Sequence, residues 1–209
     1  MYVEYLGIPG CGKTFWKDRH IEQIRAEGIP YLDVSRQKVM PFWLKVFYKI
    51  AEMFLLQLPK YKRQIRECEE VCKGCLKKPK YLPFSLAHCI KDIVMASLLH
   101  DIFEGKKIYV NDEGQLQRVV SLVVQYGVPL ERLLPWYLKY RGEATTIYVK
   151  TDVETAFVNI RKRNRHVCPM DELKDDALIA YETEFFECCE LLAKEIKFNF
   201  DLKKICPKL

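Results

Sequence analysis

Apolar and polar positions follow two periods along this chain, and their order sketches a fold. The first run, Tyr2-Val3-Glu4-Tyr5-Leu6, is short and β-prone, and it leads through a glycine-studded turn, 7–14, into a helical pattern ending near Glu27. After the stop at Gly28, residues 29–34 read as a second strand. A mostly helical stretch, about 40–103, comes next. Leu58-Pro59, Gly74, Lys78-Pro79 and Leu82-Pro83 break it, because proline and glycine interrupt helical backbone. Residues 107–111 form a third predicted strand that closes on Asp112-Glu113-Gly114, with helical periodicity over 115–126 and again around 130–139. The β-branched run 145–150 is a fourth strand, and Asp152 is placed to cap a helix over 153–164. A long helix over 171–196 and a fifth strand over 197–201 complete the pattern.

Strand and helix alternate, so the expected class is α/β: a three-layer fold with a parallel, five-stranded sheet between helices. The length of 209 residues suits one domain, 1–209, with the helical stretch as an insert between the second and third strands. With 49% hydrophobic and 30% charged residues, the chain can bury a substantial core, which excludes disorder and collagen-like structure. The longest apolar stretch, 39–58, is interrupted by Lys45, Lys49 and Glu52, and the first apolar run is too short for a secretory signal. No membrane span or targeting segment is therefore expected. Nine cysteines without an export signal point to reduced thiols in the cytoplasm, and an odd count forbids complete intramolecular pairing.

The turn at 7–14 has the spacing G-x-x-x-x-G-K-[ST]. A loop of this kind is a phosphate-binding loop, the signature of P-loop nucleotide-binding folds. Its backbone N–H groups, from Gly7, Gly10, Cys11 and Gly12, wrap phosphate oxygens where a side chain would obstruct. Lys13 would reach the β and γ phosphates of ATP, and Thr14 would offer its hydroxyl to Mg²⁺. The helix that follows adds the positive end of its dipole. The metal also needs a carboxylate at the end of a neighbouring strand, and Asp112 has that position, directly or through water. Glu113 beside it, with Arg118 a turn later, is a candidate for positioning substrate or water. Asp33 ends the second strand at the carboxyl edge of the sheet, where α/β ligands bind, and is the candidate base or clamp for an acceptor hydroxyl. A net charge of +6 suits a partner that carries phosphates.

In order of elements, and in the segment from Asp152 to Arg165 above all, the chain resembles the nucleoside and nucleotide kinase group of P-loop proteins, with thymidylate kinases and deoxynucleoside kinases as the nearest likeness. The resemblance implies ATP and Mg²⁺ as cofactors, a small-molecule phosphoacceptor, most of all a nucleoside or nucleotide, and a lid over about 161–170. It makes Arg161, Arg163 and Arg165 candidate lid residues. Their guanidinium groups would spread over the charge of a phosphoryl group in transit. Relatives usually carry arginine where this chain has Asn159, and often arginine beside the acid where this chain has Glu113 and Gly114. The alternative is a P-loop ATPase that works as a nucleotide-dependent switch, in which Glu113 orients water and the insert docks a partner.

Two features of the insert lie outside that chemistry. Cys68, Cys72 and Cys75 have the spacing of an iron–sulfur motif, yet on a helix over 62–76 they share one face, and three small apolar residues on one face read as core. Zinc is the metal alternative. Trp43, Val46, Phe47, Ile50, Met53 and Phe54 make a helix apolar over most of its circumference, which by default is buried and otherwise pairs with a second copy or lines a substrate pocket. The basic runs at 60–66 and 73–80 lack the stacking aromatics that nucleic-acid binding would need.

Overall fold

The computed structural model describes residues 1–33, 42–103, 108–142, 144–163 and 169–196. Four strands pair in parallel: β1 (Tyr2–Leu6), β2 (Tyr31–Asp33), β3 (Ile108–Asn111) and β4 (Ala144–Tyr148), in the spatial order β2-β3-β1-β4. Register aligns Glu4 with Asn111 and Thr146, and Asp33 with Val110, so all four strands run toward one edge, β2 and β3 stopping two to three residues short of β1 and β4. The expected fifth strand, 197–201, lies outside the described residues.

Helices cover both faces of the sheet, which is why all five residues of β1 are buried. On one face the Tyr5 hydroxyl meets His20 Nδ1 at 2.6 Å, on α1 (Lys13–Ala26). On the other, Glu4 faces α5 (Gln115–Tyr126) and α6 (Leu130–Tyr140). A fully buried glutamate in a central strand needs every lone pair engaged. Glu4 accepts hydrogen bonds from Tyr2, Tyr137 and Thr146 hydroxyls and from the Leu116 amide, at 2.9–3.2 Å. This network anchors the start of α5, where a Cβ on Gly114 would overlap the Glu4 carboxylate.

The remaining helices are α2 (Phe42–Met53), α3 (Pro59–Val71), α4 (Leu86–Phe103), α7 (Val153–Arg163) and α8 (Asp175–Glu195), with short 3₁₀ turns at Leu55–Gln57 and Pro169–Glu172. Asp152 caps α7 as expected: its Oδ1 accepts the Thr155 amide at 2.7 Å. The expected helix over 171–196 starts later, at Asp175, because residues 169–172 take the tighter turn.

Two expectations for the insert need correction. Pro59 opens α3 at a position where its missing N–H is harmless, but the helix stops at Val71, and Gly74 turns the chain in a left-handed conformation. Cys68 and Cys72 are therefore buried on the helix and its cap, whereas Cys75 leaves that face and is half-buried. Burial of the apolar helix is also not found among the described residues: Phe42 is 81% exposed, Trp43 63% and Met53 63%, as is Phe54 just beyond it at 64%.

Candidate functional site

The site is built where β1 turns into α1. A Cβ on Gly7 would lie 2.5 Å from the Val149 carbonyl oxygen, and one on Gly10 would lie 2.5 Å from that of Ala156, so the loop packs against β4's exit and against α7. Gly12, at φ 91°, has open space around it and is required by its backbone instead. The Cys11 amide donates to the Ile8 carbonyl at 3.3 Å, closing the turn. Lys13 folds back over the loop, donating to the carbonyls of Gly7 at 2.7 Å and Ile8 at 3.0 Å. Its ammonium thus caps the concavity that the loop encloses.

One turn along α1, the acids converge. The Thr14 hydroxyl donates to Asp112 Oδ2 at 3.0 Å, which places two hard oxygen donors side by side at the loop; that donor set fits Mg²⁺. Asp33 pairs with Lys17 Nζ at 2.9 Å, and the same ammonium lies 3.6 Å from Asp18 and 3.9 Å from Asp112. Lys17 is fully buried, so three carboxylates compensate one desolvated charge and tie α1 to the ends of β2 and β3. Sequence reasoning missed this residue. Its signal was spacing: Lys17 follows Lys13 by four positions and so shares the face of α1 that meets the sheet.

Beyond β3, Arg118 is held by Glu113 Oε2 at 3.0 Å and by Asp92 of α4 at 3.1 Å. The Glu113 carboxylate therefore points at a guanidinium. On the lid side, Asn159 donates to the Gly10 carbonyl at 3.1 Å, so an amide ties α7 to the loop. Arg161 departs from its expected part in cofactor binding. Its guanidinium bonds Asp175 Oδ1 at 2.9 Å and the carbonyls of Asp171 and Leu173, joining α7 to the start of α8, and it does not line the cleft. Arg163 does line it. Arg165 and much of the expected lid, 164–168, lie outside the described residues.

A cleft of about 370 Å³ opens over the loop. Its lining combines polar and charged side chains, Lys13, Thr14, Asp112, Glu113, Arg118 and Arg163, with the apolar and aromatic Leu82, Phe84, Met170 and Tyr181. Gln117 also lines the cleft; it is 7% exposed, and its Oε1 has no hydrogen-bond partner among the described residues. Neither Gln117 nor the aromatic lining was legible in the sequence, because an amide on an apolar helix reads as surface or core until a cavity is seen beside it. Asp33 sits at the edge behind Lys17 and does not line the cleft.

No family model matches this chain, and no curated protein sequence matches it. Solved structures do. The chain is similar to a deoxyadenosine kinase from M. mycoides with bound dATP, at 13% identity and a TM-score of 0.50, over 95% of this chain and 89% of that one. A structure of the same enzyme with bound dCTP aligns at 12% identity and a TM-score of 0.48, over 95% and 88%. The likeness shows the fold: an α/β P-loop architecture of the deoxynucleoside kinase type.

Proposed function

We propose that this chain is an ATP-dependent kinase that transfers the γ-phosphoryl group to a small-molecule acceptor, most of all a nucleoside or nucleotide. The observation that carries the reading is the cleft itself, whose lining includes both Lys13, Thr14 and Asp112 and Gln117, Phe84 and Tyr181. Phosphates suit the first three residues, and a flat, hydrogen-bonding group suits the aromatic rings and the amide. The structural neighbour is named a deoxyadenosine kinase and holds dATP, which supports a nucleoside in that place.

In this reading Lys13 exchanges the Gly7 and Ile8 carbonyls for phosphate oxygens, and Arg163 closes over the group in transit. Thr14 and Asp112 would hold Mg²⁺, which when bound supplies neutralising charge to the phosphates. Lys17 fixes the Asp33 carboxylate beside Asp112, just outside the cleft lining; an acceptor hydroxyl that reaches past Asp112 would give Asp33 its proton as that oxygen attacks γ-phosphorus and the bond to the ADP oxygen breaks. Arg118, held by Glu113 and Asp92, orients the acceptor. A reducing cytoplasmic location goes with the free cysteines, and no described helix is long and apolar enough to cross a membrane. The exposed face of α2 is where a second copy would pair.

The test is ADP production with MgATP across a panel of nucleosides, nucleotides and sugars. A rise that depends on one acceptor class is expected, with a matching phosphorylated product. ADP release that ignores every acceptor, and that Glu113→Gln abolishes, would establish the ATPase switch instead.

A further inference from the structure

Helix α8 carries a charge that this mechanism does not use. Glu182 is fully buried, one residue beyond Tyr181 of the cleft wall. Neither of its carboxylate oxygens has a hydrogen-bond partner among the described residues. The charges whose fields reach it are Lys13, from the start of α1, and Arg163, from the end of α7, and both line the phosphate cleft. Glu113 and Arg118, on the side of β3 and α5, act on the neighbouring Tyr181. A carboxylate so enclosed is unfavourable while ionised, and burial pushes Glu182 up from 4.5 to about 8 despite the two cations.

We propose that Glu182 is a positioning residue of the phosphate site, and that its proton decides whether Lys13 and Arg163 serve the nucleotide. Neutral, it leaves both cations to phosphate oxygens. Ionised, it competes with the phosphates for both cations. The inference rests on nucleotide binding at the loop and adds a proton linkage to it. Phosphate charge placed on Lys13 and Arg163 removes the pull that favours ionised Glu182, so binding and protonation reinforce each other.

Isothermal titration of MgADP at pH 8, in two buffers of different ionisation enthalpy, reads this directly. The full-length chain is expected to take up a fraction of a proton on binding, and Glu182→Gln to take up none. Between pH 7 and 9 the wild-type affinity should fall by up to about tenfold relative to Glu182→Gln, the range over which a group near 8 ionises. Equal uptake and parallel profiles would overturn the proposal and leave the P-loop reading intact; absence of MgADP binding in either protein would overturn both. Should Glu182→Gln fail to fold, lack of proton uptake by the wild type at pH 8 overturns the switch by itself. Stability supplies a readout independent of nucleotide. The folded-state value is raised, so the contribution of Glu182 is present below pH 4.5 and is lost as pH rises through about 8. Glu182→Gln should therefore melt above the wild type at pH 9, with the gain disappearing at pH 4.

Discussion

A lysine with no exposed surface needs compensating charge around it, and Lys17 has Asp33, Asp18 and Asp112 within 4 Å. The three acids do not depend on it equally. Replacing Lys17 with methionine leaves Asp33 and Asp112 close together without their shared cation, although both keep some solvent contact, so the loss should be about 2–3 kcal/mol, at or below the usual range for a broken buried pair. Asp33→Asn should cost less, because Lys17 keeps Asp18 and Asp112. Urea unfolding of both variants and of the double variant measures the coupling, and strict additivity would remove Lys17 from the centre of the site. Function should divide differently: Asp33→Asn keeps MgATP binding and lowers acceptor phosphorylation by roughly 10²–10⁴-fold, whereas Asp112→Asn weakens magnesium-dependent binding itself.

At the scale of elements, α7 is the piece whose two described arginines take separate work. Arg161 ties the end of α7 to Asp171, Leu173 and Asp175 ahead of α8, while Arg163 faces the cleft. Arg161→Ala should lower stability by about 1 kcal/mol through those partly exposed bonds and leave MgATP affinity unchanged. Arg163→Ala should reduce turnover more than ground-state affinity, since its contact strengthens as charge develops on the moving group. Thermal melts beside steady-state kinetics separate the two; a large affinity loss in Arg161→Ala would return that residue to the nucleotide. The pairing of Glu4 with the start of α5 has the same architectural character. It holds Gly114 against the sheet, just after Asp112, which accepts the Thr14 hydroxyl at the loop.

For the whole molecule, the unsettled surface is α2. Trp43, Val46, Ile50 and Met53 follow helical spacing and are exposed together, an apolar stripe left uncovered among the described residues. A pair of chains joined there should be seen by light scattering, and Trp43→Glu with Ile50→Glu should return a monomer that keeps the melting behaviour of the core. A wild-type monomer at tens of micromolar would remove the dimer from the proposed assembly.

The elements were legible where the controlling interactions are local. A glycine loop before Lys13 and Thr14, β-branched residues in β4 and the cap at Asp152 act within a few positions, and each is found where the sequence places it. Even the early end of α3 was signalled, by Gly74. Long-range pairing was not legible. Lys17 and Glu4 look like solvent-facing charges until the sheet brings partners to them, and Arg161 resembles a phosphate ligand until the Asp171 and Leu173 carbonyls ahead of α8 and the Asp175 carboxylate at its start engage it. The periodicity of α2 says that an apolar face exists but cannot say what covers it, because cover depends on the packing of distant segments or of another chain. Sequence by itself determined the phosphate loop and the α/β order; tertiary structure alone decided which charges are buried, which pair, and which are left facing the cleft, since desolvation and Coulomb energy depend on neighbours brought together from across the chain.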